Sequence, residues 1–149
     1  MNSIIVNSDI FAFGSPQELS AHAVGDHQKG LLIFLRQADE AQHLAFLTKI
    51  LSAIKYQLDQ DCCRYVLADH HQLAIHSVPQ LADARHILLF GISPQQLGLQ
   101  FECPFYEPIT IAQRTYLQSH SLESLQAPEH KAWKVALWQC LQQIFLPKP

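Results

Sequence analysis

The chain has 149 residues, of which 48% are hydrophobic and 15% charged, with a formal net charge of −3. That length suits one domain with its own core, and the composition excludes a disordered polar chain. The charge excludes a strongly basic nucleic-acid footprint. No apolar run approaches the ~20 residues that span a bilayer, and the opening MNSIIVNSDIF lacks the basic region and long apolar stretch of a signal peptide. A cytoplasmic protein with no membrane partner is the expectation.

Residues 1–29 are poorly periodic and read as an N-terminal segment, with FGSPQELS as a turn that starts a short helix at Pro16. The core is expected over 30–146. GLLIFLR (30–36) is a continuous apolar run, the pattern of a strand covered on both faces. Asp39 is placed to cap the helix that follows, and Leu44, Leu47, Leu51, Ile54 and Leu58 recur at three- and four-residue spacing as one helical stripe. CCRYVLA (62–68) reads as a second strand, DHHQ as a polar loop, PQLADAR (79–85) as a short helix or turn, and HILLFGI (86–92) as a third strand.

EPITIAQRTYLQSHS reads as extended chain that bends near Gln113–Arg114 before a strand at TYLQ. Ser121 is a cap candidate for a short turn at SLESLQ. Pro128 suits the first position of the last helix, with Glu129 favourable in its first turn. That helix is expected to run to about Phe145, with Pro147 stopping it. Strands alternating with helices imply an α/β fold of three layers, α/β/α, with helices on both faces of a mainly parallel four-stranded sheet. The helical stripes, the second formed by Trp133, Leu137, Cys140 and Ile144, should pack on that sheet, each buried side chain contributing ~1.5–3 kcal/mol.

The stretch with most chemical potential is HILLFGISPQQLGL (86–99). In open α/β sheets, ligands collect at the carboxyl ends of the strands. Gly91 lets the backbone turn, Pro94 fixes the next corner and Ser93 offers a hydroxyl between them. The turn is either the rim of a nucleotide or base pocket or an ordinary exit from a strand. His70, His71 and His76, with Asp69 and Cys62 nearby, match no standard ligand spacing, so no metal site is expected, and no cofactor motif stands out. The adjacent Cys62 and Cys63, with Cys103 and Cys140, read as reduced, mostly buried thiols. Lys131 and Lys134, with Arg114 upstream, read as a solvated face, so direct nucleic-acid binding is expected to be weak or absent.

LLFGISP resembles the first motif of the mismatch-specific uracil-DNA glycosylase group, in which a strand ends in a Gly-Ile-Asn-Pro turn whose Asn positions the attacking water. Ser93 holds the Asn position here. The second motif of that group, a Pro-Ser or His-Pro-Ser loop, has its nearest counterpart in SHSLES, with His120 and Ser121 but no Pro. Residues 30–146 as a whole resemble the psi subunit of the bacterial DNA polymerase III clamp loader, through GLLIFLR, HILLFGI, TYLQSHSLESL and KAWKVALWQCLQQIF. Psi subunits are non-catalytic and similar in fold to uracil-DNA glycosylases.

The resemblance implies strand order 2-1-3-4, a clamp-loader or chi-like protein partner, and Gly91, Ser93, Pro94, His120 and Ser121 as vestiges of an active site. Residues 1–29 lack the Leu-Gly-Ile and Trp that some psi subunits present to the clamp loader. Two alternatives stand beside this reading: a glycosylase with an altered first motif, and a small nucleotide-binding module. Trp138 and Phe145, on the flank of the last helix, are candidates for a partner anchor or for packing beneath residues 1–29.

Overall fold

The computed structural model of the protein describes residues 23–68 and 72–146. Its centre is β2 (Leu31–Arg36), in which Leu31, Leu32, Ile33, Phe34 and Leu35 are all fully buried. A strand with no polar face must be covered on both. Its flanks are closed by parallel pairing with β3 (Cys62–Leu67) on one side and β4 (His86–Phe90) on the other. β6 (Arg114–Ser119) pairs parallel with β4. Two short antiparallel strands complete the edges, β1 (Ala23–Val24) on β3 and β5 (Ile109–Ile111) on β6.

Among the described residues this gives one six-stranded mixed sheet in the order β1-β3-β2-β4-β6-β5. The expectation of a four-stranded sheet is thus corrected. The four parallel strands at its centre do run second, first, third, fourth in chain order. The edge strands, two and three residues long, are too short to show a period of two in sequence.

The helices are α1 (Gln37–Gln42), α2 (Leu44–Ala53), α3 (Leu58–Asp61), α4 (Leu122–Gln126) and α5 (Lys131–Phe145). The stripe expected as one helix is broken, because α2 stops at Ala53 and Lys55 turns left-handed (φ 67°) before α3 begins. Its apolar residues still pack together. Leu47, Leu51, Ile54 and Leu58 meet Leu31, Ile33 and Leu35 of β2 and Leu137, Cys140 and Leu141 of α5 in one core. Pro128 opens a 3₁₀ turn, Pro128–His130, that leads into α5 and is not its first residue.

Helices were expected on both faces. Among the described residues α2, α4 and α5 all cover the same face. Among the described residues the opposite face, with Leu32, Phe34, Tyr65, Ile87, Leu89 and Tyr116, is covered by the connectors around β4 through Leu73, Ile75, Val78, Leu97, Leu99 and Cys103. The described residues of these connectors form 3₁₀ turns at Ile75–Ser77, Pro79–Asp83 and Pro94–Leu97. Short apolar segments suffice to cover a sheet face when each contributes one or two inward side chains. The expected turn at Pro16 and the stop at Pro147 lie outside the described residues.

Arg64 of β3 is buried and forms ion pairs to Glu40 of α1 (2.9 Å) and Asp59 of α3 (2.8 Å), joining both helices to the sheet. The β5–β6 hairpin turns through Ala112 (φ 53°) and Gln113 (φ 67°), between paired Ile111 and Arg114. Two positive φ angles in a two-residue loop make this the turn type that favours Asn-Gly. Replacing Ala112→Asn and Gln113→Gly together should raise stability by about 0.5–1.5 kcal/mol, read from the urea midpoint at unchanged denaturant slope.

Candidate functional site

The carboxyl ends of β2, β4 and β6 meet around a cleft of about 320 Å³. It is lined by Arg36, Gly91, Ser93, Gln96, Phe105, Gln118, His120 and Ser121. The structure therefore brings together four of the five residues singled out in the sequence, and Pro94 follows directly as the buried first residue of the adjoining 3₁₀ turn.

Each has a local reason for its identity. Gly91 has φ 70°, and its N–H donates to the Ser119 carbonyl (3.0 Å). A Cβ there would stand 2.9 Å from the Ser121 Cβ, so only glycine lets β4 and the end of β6 approach this closely. Ser93 caps the turn Pro94–Leu97: its Oγ accepts from the Gln96 N–H (3.4 Å) while the Gln96 Oε1 accepts from the Ser93 N–H (3.1 Å). Ser121 caps α4, its Oγ accepting from the Ser124 N–H (3.2 Å). That cap matches the expectation for SLESLQ.

His120 sits in a stack of four rings. Its imidazole lies between Phe105 (4.1 Å between centroids, 7° between planes) and Trp133 (3.5 Å, 4°), and His130 covers the far side of Trp133 (3.8 Å, 20°). His130 Nδ1 is 2.9 Å from the Ser124 carbonyl, so that nitrogen carries the hydrogen. The Tyr106 hydroxyl accepts from the His120 backbone N–H (3.4 Å) and lies 2.8 Å from His120 Nδ1, while the Ser119 hydroxyl donates to the His120 carbonyl (3.1 Å). Burial first, and the neighbouring His130 second, push the His120 pKa below its usual 6.5.

The Asp39 cap expected for the first helix is replaced by a longer-range one. Asp39 lies inside α1, which starts after Arg36 with no side-chain cap. Its fully buried carboxylate instead accepts from the Leu122 N–H (2.8 Å) and the Glu123 N–H (3.4 Å), capping α4 from across the fold. Arg36 Nη2 binds both Asp39 Oδ1 and Glu123 Oε1 at 3.2 Å. Asp39, His43 and Glu123 bring one donor atom each within 4.8 Å of one another. The Arg36 guanidinium already supplies the cation beside the two carboxylates.

Of the residues considered for a metal, Asp69, His70 and His71 lie outside the described residues, and His76 is exposed on the turn Ile75–Ser77. Cys62 and Cys63 are buried on opposite faces of the sheet. Burial is the main cause that raises their thiol pKa values, to about 12 and about 11. Arg114 donates from Nε to the Leu81 carbonyl (3.0 Å) and lines a separate depression with Arg85 and Gln113, which Lys131 and Lys134 do not join.

The last helix separates the two aromatic anchor candidates. Phe145 packs against Tyr56 (5.2 Å) and His86 (4.6 Å). Trp138 is 38% exposed and lines a groove with Ala127, Pro128, Lys131, Lys134 and Val135. Sequence reasoning missed Phe105, Trp133 and His130 as neighbours of His120. Only the His130–Trp133 spacing of one helical turn hinted at any of these contacts. The chain matches no protein-family model and no curated protein sequence.

Two measurements test this geometry. Asp39→Ala strands the Leu122 N–H and leaves Arg36 with Glu123 as its remaining ion pair, and should cost about 2–4 kcal/mol in a urea titration. His86, with its Nδ1 unpartnered, resembles His120 in having a pKa held below 6.5, again mainly by burial. Below that value the unfolded chain takes up protons that the folded chain refuses. Stability should therefore fall as the pH drops from about 7.5 to about 5.5, and His86→Gln with His120→Gln should flatten that slope.

Proposed function

We propose that the protein is a non-catalytic accessory factor of the replisome, resembling the psi subunit of the DNA polymerase III clamp loader. On this reading it is a cytoplasmic protein that works through contacts with clamp-loader proteins or a chi-like subunit, and binds nucleic acid weakly or not at all. Its scaffold is that of a uracil-DNA glycosylase, with the cleft at the strand ends retained as architecture.

The observation that carries the reading is the state of the motif side chains. The Ser93 hydroxyl caps one turn, the Ser121 hydroxyl caps α4, and the His120 ring is held between Phe105 and Trp133 with Tyr106 on its Nδ1. Arg36 is paired with two carboxylates. The residues lining the cleft include no carboxylate and no asparagine. A general base must reach the proton it removes, and the Ser93, Ser121 and Arg36 side chains are already bonded within the protein. The parallel strand order supports the glycosylase-like scaffold, and the absence of any long apolar helix among the described residues accords with a protein that does not cross a membrane by a helix.

The reading is tested in two ways. Purified protein incubated with uracil-containing single- and double-stranded DNA should release no uracil. Release that Ser93→Ala abolishes, in a variant that still folds, would favour the enzyme reading instead. Affinity purification from the native cell should recover clamp-loader proteins at stoichiometric levels, and their absence would remove the replisome assignment.

A further inference from the structure

The outer face of α5 carries a feature that neither the core nor the cleft uses. Lys131, Lys134, Val135 and Trp138 recur at three- and four-residue spacing, on a solvent-facing flank of the helix beside the buried Leu137, Cys140 and Leu141. With Ala127 and Pro128 they line a groove of about 410 Å³. Val135 is 48% exposed and Trp138 38%, so large apolar surface faces solvent at the groove wall. Neither lysine has an ion-pair partner among the described residues. The charge of the segment is also unlike that of the whole. From His130 to Pro149 the chain has lysines and no Asp or Glu, although its net charge is −3.

We propose that this groove docks a short acidic segment of a partner protein, with one aromatic or branched apolar side chain seated against Val135 and Trp138 and flanking carboxylates on Lys131 and Lys134. The proposal deepens the reading of the protein as a protein–protein accessory factor by naming the surface and the chemistry of what it binds.

The charge pattern selects the occupant. A second copy of this chain docked face to face about a two-fold axis would bring the same lysines against one another, and like charges at an interface oppose association. Nucleic acid draws its affinity from several phosphate contacts, and the groove offers two cations beside an apolar wall. An apolar anchor next to carboxylates satisfies both parts of the groove. Exposed aromatic surface provides the anchor site, and the lysines set orientation and attraction, an effect that salt screens.

The test uses the full chain and a set of short labelled peptides, each with one Phe, Trp, Leu or Ile flanked by two Glu in a Gly-Ser background. At low salt at least one should bind saturably, more weakly as salt is raised, and should change the tryptophan fluorescence. Matching peptides with Lys in place of Glu, or Ala in place of the apolar residue, should not bind. Lys131→Glu with Lys134→Glu, and separately Trp138→Ala, should each weaken binding more than about tenfold while melting as the wild type does. Gln142→Ala, an exposed change outside the groove, should bind as the wild type does.

Failure of every acidic peptide to bind, or undiminished binding by the well-folded groove variants, overturns the proposal. So does dimerisation or oligonucleotide binding that the double lysine variant abolishes, because the groove would then belong to another occupant. Peptide binding that depends on the groove, in a protein that recovers no clamp-loader proteins, would sink the replisome reading and leave the groove assignment standing. Recovery of clamp-loader proteins undiminished by the groove variants would do the reverse.

Discussion

Burial of β2 on both faces is the constraint from which the rest of the architecture follows. Leu31, Leu32, Ile33, Phe34 and Leu35 leave no surface to water. Alternation sends Leu31, Ile33 and Leu35 toward the helices and Leu32 and Phe34 toward the connectors. Each face then needs its own apolar cover, and among the described residues the two covers are of different kinds. The helices α2, α4 and α5 share one face, while the connectors around β4 fill the other with single side chains from 3₁₀ turns and loops. Because β3 and β4 must both lie beside β2, the chain crosses from one edge of the pair to the other between them. The strand ends next to that reversal are where the cleft opens.

The cleft itself is held by polar bonds that span long stretches of sequence. The Asp39 carboxylate fixes the start of α4, and α4 in turn supplies Ser121 as cap and Ser124 as the carbonyl partner of His130. His130 then supports Trp133, which supports His120. One buried carboxylate near the first crossover therefore orders a chain of groups that ends at the rim of the cleft. Buried polar networks of this kind favour one arrangement because any unsatisfied member is costly. The Ser93, Ser121 and Arg36 side chains at the rim are bonded within the protein.

Much of this was legible in the sequence where the signal is local. The apolar runs at 30–36 and 86–92, the spacing of Leu137 and Cys140, and the Ser121 cap all depend on neighbours within one turn or one strand. What was not legible depends on distance. The Asp39 bond to Leu122 joins residues 83 apart, and nothing in QADEAQ distinguishes a carboxylate that caps its own helix from one that caps another. The hairpin through Ala112 and Gln113 was missed as a hairpin because neither residue favours the positive φ that both adopt. The part that the connectors play in covering one face was not legible, because strand–helix alternation points only to helices as cover. Short connectors with well-placed apolar residues meet the same need without any periodic signature.

The motif FGISP shows how far a short resemblance can carry an argument about chemistry. Gly91 is required by the approach of Ser121 to within 2.9 Å of where its Cβ would lie. Ser93 is accounted for as one half of a capping box with Gln96, and Pro94 as the residue that best begins the turn Ser93 caps. Packing and capping thus explain Gly91, Ser93 and Pro94 with no reacting atom present. The Ser93 hydroxyl is bonded to its own turn. The weight of a functional reading therefore falls on groups that the fold does not already occupy. On this molecule the outer face of α5 is such a place, because its exposed Val135 and Trp138 and its two lysines have no role in the core.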